Sequence, residues 1–249
     1  MDPELIRHME ELAINAWPAL QTKLYDGWVL RFADGYTRRA NSINLLYGSS
    51  LPLLEKIGFC EAEYRSRDIP VVFKITPAII PDDIDPMLEK RGYSREAETA
   101  LRLLDLADRE FRTVGGTKAE YGLTGRWFEG FCSCTGTTDE KERTTAYKIL
   151  QNLSGKLIYV AKVVEGEIAG CGYGAIERGY VGIFDIAVHP SQRRKGYAFD
   201  IMNRILYEAR EMGALNAYLQ VVAGNAPAEK LYDKIGFKEL YRYWYRKSL

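Results

Sequence analysis

A mixed α/β fold, laid out twice in tandem, is what this 249-residue sequence predicts, with a complete second layout and a truncated first one. Three observations carry that expectation. Residues 183–189 form an apolar strand that runs into a basic, glycine-containing loop and then directly into an amphipathic helix. A β-prone run, a capped helix and an alternating aromatic strand follow in order to the C-terminus. The same order is echoed over residues 1–106, so the chain divides into domains at 1–106 and 107–249.

In the first domain, residues 27–32 and 40–46 read as strands, 53–67 as a helix and 71–76 as a strand. Met87-Leu88-Glu89-Lys90-Arg91-Gly92-Tyr93 then parallels Leu231-Tyr232-Asp233-Lys234-Ile235-Gly236-Phe237, and 97–106 would close the copy. In the second domain, helices are expected over 121–134 and 139–153. Strands follow at 156–165 and 167–177, with Gly166 at the hairpin turn. After the strand at 183–189, Ala198, Ile201, Met202, Ile205, Ala209 and Met212 recur at helical spacing until Gly213 ends the run. Residues 215–222 form the next strand. Asn225 is a helix N-cap, Pro227 suits the first turn and Gly236 stops the helix. Tyr241, Tyr243 and Tyr245 alternate along a last strand that either lines a cleft or covers the sheet.

Chemistry concentrates in the loop Gln192-Arg193-Arg194-Lys195-Gly196-Tyr197-Ala198. Its backbone N–H groups and the positive end of the following helix converge on one point, which is how a pyrophosphate is held. Gly196 admits close approach of an oxygen, Ala198 keeps the first turn small, and Arg193, Arg194 and Lys195 add charge at the rim. An ordinary strand–loop–helix connection would also carry Arg-x-x-Gly-x-Ala, so the segments downstream decide.

Those segments are Asn225-x-Pro227-Ala228 and Leu231-Tyr232-x-x-x-Gly236-Phe237. Together with the Arg193-x-x-Gly196-x-Ala198 loop, and in this order, they resemble the GNAT superfamily of acyl-CoA-dependent N-acetyltransferases. The resemblance implies that the parallel strands 183–189 and 215–222 splay apart at a bulge and take the pantetheine arm of acetyl-CoA between them. The thioester would lie near Ile186, Ala187 and Val188, whose backbone N–H groups would polarise its carbonyl. Asn225 and Ala228 would contact the cofactor, as would Tyr197 in the loop. Tyr232 matches the family's phenolic acid and would protonate the departing thiolate. The resemblance also makes the first two helices of the second domain a wall of the acceptor pocket, near Trp127 and Phe128.

The base is not fixed by the sequence. Asp185 sits in the middle of an apolar strand and is either the general base or a structural carboxylate. Glu177 and His189 are further candidates, and a chain of waters would serve without any of them. The acceptor is a small-molecule or peptide amine whose identity stays open, as does the oligomeric state. A catalytically idle acyl-CoA-binding sensor or scaffold is the alternative to an enzyme.

The first domain lacks the anion loop. Tyr47-Gly48-Ser49-Ser50-Leu51-Pro52 stands in its place and Leu88-Glu89 replaces the Leu-Tyr pair, so this copy is not expected to bind acetyl-CoA. Composition fits the reading: 34 basic and 34 acidic residues give no global attraction to nucleic acid or anionic lipid. No apolar run reaches the ~20 residues that span a bilayer, and the acidic start is unlike a signal peptide, so the expected location is cytoplasmic. The four cysteines make no disulfide framework, and Cys132-x-Cys134 has no matching ligands for a metal.

Overall fold

The computed structural model describes residues 2–107, 109–113 and 115–248. The chain forms two compact units, one of Met1–Ala100 with Tyr241–Leu249 and one of Leu101–Leu240. The expected boundary at residue 106 thus falls at 100, and the chain's last strand belongs to the first unit, not the second. A strand's own alternation says that it has two faces. It does not say which edge it joins.

Unit 1 opens on α1 (Pro3–Ala16), which the sequence reading passed over. Asp2 caps it by accepting the N–H of Glu4, and Pro3 occupies the first turn. Strands β1 (Gln21–Tyr25), β2 (Trp28–Phe32) and β3 (Ile43–Leu45) form an antiparallel meander. Helix α2 (Leu53–Arg65) then crosses to β4 (Val72–Ile75), which lies parallel to β3. After α3 (Ile84–Lys90) comes β5 (Ser94–Asp105), and β11 (Lys238–Lys247) pairs antiparallel with β4. The strand order here is β1-β2-β3-β4-β11-β5.

The two faces of this sheet differ in chemistry. Phe73 and Ile75 of β4 join Trp28, Ile57, Cys60 and Tyr64 in an apolar core beneath α2. Lys74, between them, points to the other face, where its ammonium meets the Glu10 carboxylate of α1 at 2.5 Å. Tyr241 donates its hydroxyl to the same carboxylate at 2.6 Å, and the ammonium lies 3.8 Å from the ring centre of Tyr243. Tyr241 and Tyr243 of the last strand thus meet the Glu10–Lys74 pair beneath α1. Nearby, the buried Arg31 guanidinium donates to the carbonyls of Ile14, Trp17 and Arg39.

After the second half of β5, unit 2 continues with β6 (Thr117–Glu120), a short strand on β7 that the sequence reading also missed. Helices α4 (Gly125–Thr135) and α5 (Glu140–Gln151) are capped by Thr124 and Asp139. Strands β7 (Lys156–Val164), β8 (Glu167–Glu177) and β9 (Tyr180–Val188) form a second antiparallel meander. Helix α6 (Tyr197–Glu211) crosses to β10 (Asn216–Val222), which is parallel to β9, and α7 (Ala226–Ile235) follows. The order is β5-β10-β9-β8-β7-β6, with the second half of β5 in this unit.

Each unit thus runs through hairpin, third strand, crossover helix, parallel strand and short helix in the same sequence. The first copy is the shorter one, with α1 alone ahead of its hairpin where the second has β6, α4 and α5. Among the described residues no helix is long and apolar enough to cross a membrane.

Removing one partner of a buried ion pair leaves a charge with neither water nor counterion. Glu10→Gln is therefore expected to lower unfolding stability by about 3–5 kcal/mol, read from urea denaturation, whereas the exposed Glu4→Gln should change it little.

Candidate functional site

The site is built on an irregularity in β9. Phe184 lies opposite Tyr173 of β8 and Ala187 opposite Cys171, so Asp185 and Ile186 together face the single residue Gly172. This is a β-bulge, and Asp185 takes the left-handed conformation (φ 52°) that one extra residue requires. Gly172 makes room for it: a Cβ there would overlap Cδ1 of Ile186. Gly170 and Gly174 continue the same bare face, where added Cβ atoms would come to 3.0 Å and 2.8 Å of Ile201 and Ile205 of α6. The alternate residues of β8, Ala169, Cys171, Tyr173 and Ala175, form its other face. Tyr173 faces the other way, against Trp127 of α4 and Phe184.

The bulge also ends the pairing of β9 with β10. Their parallel ladder runs from Tyr180–Asn216 to Ile183–Leu219 and stops there. Beyond that point His189 N–H donates to Ala169 of β8 at 3.0 Å. Backbone N–H groups alternate along a strand, so the N–H of Val188 faces the opposite edge, where the β10 ladder has ended.

Past β9 the chain makes a short turn over Pro190–Gln192. His189 caps it, its ring bonded to the Ser191 hydroxyl at 2.7 Å, so this histidine is structural. The predicted anion loop follows. Arg193 anchors it by donating from Nε to the carbonyl of Val188 (3.3 Å), and Arg194 and Gly196 both take positive φ (63° and 83°). Lys195 turns back to Gln192 at 2.8 Å. Gly196 is the N-cap of α6 and supplies no side-chain bond, so the first N–H groups of that helix have no cap from it. Asp200 in the first turn pairs with the nearly buried Lys162 at 2.7 Å, tying α6 to β7.

On the far side, Asn225 caps α7 by accepting the N–H of Ala228 at 3.3 Å. Tyr232, two turns on, packs edge-on against Phe237. Burial raises the pKa of its phenol above the ordinary value of 10.0, and Arg102 only partly opposes that.

These elements enclose a cleft of about 1030 Å³. Of the predicted site residues, Ile186, Ala187, Val188, Arg193, Arg194, Gly196, Tyr197, Ala198, Asn225, Ala228 and Tyr232 line it. Lys195 and Asp185 are not on its wall. Leu231 of the Leu-Tyr motif also lines the cleft, and the structure adds residues that sequence reasoning gave no role, among them Phe199 and Lys234. The Lys234 ammonium lies 4.8 Å from the centre of the Phe199 ring, bridging α7 to α6 across the cleft. No motif flags such a pair, although Phe199 adjoins Ala198 and Lys234 lies within the Leu231–Phe237 segment. Trp127 is core, its indole N–H bonded to the Val160 carbonyl at 3.0 Å.

Gly172→Val would drive a branched side chain into Ile186 and is expected to lower stability by about 1–3 kcal/mol in chemical denaturation. Replacing the exposed turn residue Gly166 by Asn should be close to neutral, because asparagine tolerates positive φ.

Comparison with known proteins agrees with this geometry. The family model described as Acetyltransferase (GNAT) family matches residues 125–237. One described as probable histone acetyltransferase Rv0428c C-terminal matches residues 4–112. An uncharacterized N-acetyltransferase, YobR, of Bacillus subtilis (strain 168) is 29% identical over 248 residues, covering 97% of this chain and 98% of that one. A [ribosomal protein bS18]-alanine N-acetyltransferase of Escherichia coli (strain K12) is 27% identical over 105 residues, 42% of this chain and 62% of its own. Among solved structures, a GCN5-related N-acetyltransferase from Kribbella flavida superposes with a TM-score of 0.72 at 13% identity, covering 97% of this chain and 95% of that one. A tandem GNAT protein from the clavulanic acid biosynthesis pathway gives 0.64 at 13% identity, covering 96% and 87%. The fold is accordingly that of tandem GNAT proteins, and the GNAT family-model match over residues 125–237, with the N-acetyltransferase relatives, supports a GNAT-type acyltransferase.

Proposed function

We propose that unit 2 transfers an acetyl group from acetyl-CoA to a primary amine by direct attack, with both substrates bound together. The observation that carries this reading is the convergence on one cleft of a glycine-capped helix start, an opened strand edge and a half-buried phenol. Acetyl-CoA brings a diphosphate, a pantetheine arm and a thioester, and each finds a matching surface. The loop Arg193–Ala198 suits the diphosphate, through the free helical N–H groups and the Arg193 and Arg194 charges. The unpaired edge of β9 offers amide partners to the arm. The Val188 N–H points where a carbonyl oxygen would gain charge as the amine attacks.

In the reaction, the amine nitrogen bonds to the thioester carbon and the carbonyl oxygen becomes an oxyanion. Collapse breaks the C–S bond, and the leaving thiolate takes a proton from the Tyr232 hydroxyl. Burial keeps that hydroxyl protonated throughout the physiological range. The incoming ammonium must lose a proton first. With Asp185 off the cleft wall, we assign that step to water in the open cleft and give Asp185 the bulge instead. Positioning then supplies most of the acceleration, since no covalent intermediate on the protein is needed. A reducing, cytoplasmic setting goes with the four buried free cysteines.

Tyr232→Phe is expected to leave acetyl-CoA affinity unchanged and to slow turnover about a hundredfold, measured by CoA release with an amine panel. Unchanged turnover would mean that the thiolate is protonated from elsewhere. The active form is the protonated phenol and burial raises its pKa, so the alkaline loss of kcat belonging to Tyr232 should fall above pH 10.0 in the wild type and vanish in the variant. Arg194→Glu combined with Gly196→Asp should abolish acetyl-CoA binding in calorimetry, because two carboxylates would then face the diphosphate. Retained affinity would place the cradle elsewhere.

A further inference from the structure

The first unit carries its own version of the loop that precedes the crossover helix, and its N–H groups are already taken. Ser50 and Leu51 stand three and two residues before the start of α2, as Arg194 and Lys195 do before α6. The Leu51 N–H donates to Asp26 Oδ2 at 2.9 Å, and the Ser50 N–H donates to both oxygens of the same carboxylate at 3.1 and 2.9 Å. The Ser50 hydroxyl adds a fourth bond at 2.9 Å.

A buried cation completes the arrangement. Lys56, in the first turn of α2, has a fully buried side chain. Its ammonium lies 3.1 Å from Asp26 Oδ2, 2.5 Å from the Asp26 carbonyl and 4.1 Å from the ring centre of Trp28. One carboxylate thus receives two backbone N–H groups, a hydroxyl and an ammonium at the mouth of a helix. Those are the contacts by which a loop and helix start hold a phosphate oxygen. The Leu51 and Ser50 bonds hold the Asp26 carboxyl well below the usual carboxylate range.

The hairpin turns of the two units show how the plug arises. Asp26-Gly27 between β1 and β2 takes φ values of 42° and 82°, and Glu165-Gly166 between β7 and β8 takes 52° and 88°. The turn is the same and carries an acid at the same position in both. Glu165 is exposed to solvent, whereas Asp26 reaches the loop before the helix.

We infer that the Asp26 carboxylate is the resident anion of a closed cradle in unit 1, satisfying from within the chain the groups that unit 2 offers to a ligand phosphate. The comparison with unit 2 rests on reading its glycine loop as a phosphate cradle, whereas the closed site in unit 1 stands on its own contacts. Unit 1 is on this view locked against a phosphate-bearing ligand, in addition to lacking the phenolic acid.

The test is anion rescue. Asp26→Ala leaves two N–H groups without their partner and Lys56 with only the residue-26 carbonyl and the Trp28 ring, so the thermal midpoint of the full chain should fall. Formate or sulfate, compared with chloride at matched ionic strength, should then restore roughly half of the loss by binding only the folded state. Wild type and Glu63→Ala, which loses two surface ion pairs, should show no such selective gain. Equal response in all three proteins would overturn the inference. A second measurement needs no variant. The amide signals of Ser50 and Leu51 in wild type should show no titration near pH 4, where an ordinary carboxylate would move them, and a transition there would also overturn it. Neither readout involves acetyl-CoA, so failure of the transferase reading would leave both unchanged.

Discussion

The extra residue that β9 carries opposite Gly172 governs the cleft, because a parallel pair of strands has no other way to part without losing its register. Asp185 absorbs the insertion in a left-handed conformation, and the ladder with β10 stops at Ile183. From there the edge of β9 is open and the start of α6 is held at its end by Arg193 and by the Asp200–Lys162 pair. The bare glycine face of β8 lets α6 lie close enough for this to work. Moving any one of these parts would shift the backbone that faces the proposed thioester.

The two units spend similar material differently. Both follow a hairpin with a crossover helix, and both place an acid in the hairpin turn. In unit 2 the acid points to water and the helix start faces a cleft. In unit 1 the acid closes the helix start, and the opposite sheet face is tied to α1 through Glu10, Lys74 and Tyr241. Buried ion pairs add little net stability compared with apolar packing, but they penalise any alternative in which one partner is left alone. In unit 1 the Asp26 carboxylate and the Glu10–Lys74–Tyr241 cluster are in this sense satisfied internally.

Much of this was legible in the sequence, and the failures have physical reasons. The helix that follows the basic loop and the cap at Asn225 are local matters of spacing and turn chemistry, and the sequence announced them, while the helix's start at Tyr197 with Gly196 as N-cap came from the structure. The α7 stop at Gly236, which does adopt positive φ, was also legible. Helix α1 was overlooked although its signal is present, in Asp2 as N-cap, Pro3 in the first turn and Ile6, Met9, Leu12 and Ala13 at helical spacing. The short edge strands β1 and β6 offer no comparable pattern, because β1 is mostly exposed and β6 is only four residues long. Which unit β11 would join, and that Asp185 would sit off the cleft wall, depend on contacts distant in sequence. A polar residue within an apolar strand marks an irregularity, but it does not say whether the side chain or the backbone is the part that matters.

The central claim is that one unit holds a live acetyl-CoA site and the other holds none. Calorimetric titration of the full chain with acetyl-CoA, with CoA and ATP as controls, tests it most directly. The account predicts one site per chain, bound by acetyl-CoA and CoA and not by ATP. Two sites per chain would contradict a closed first unit, and no binding would contradict the cleft as a donor site.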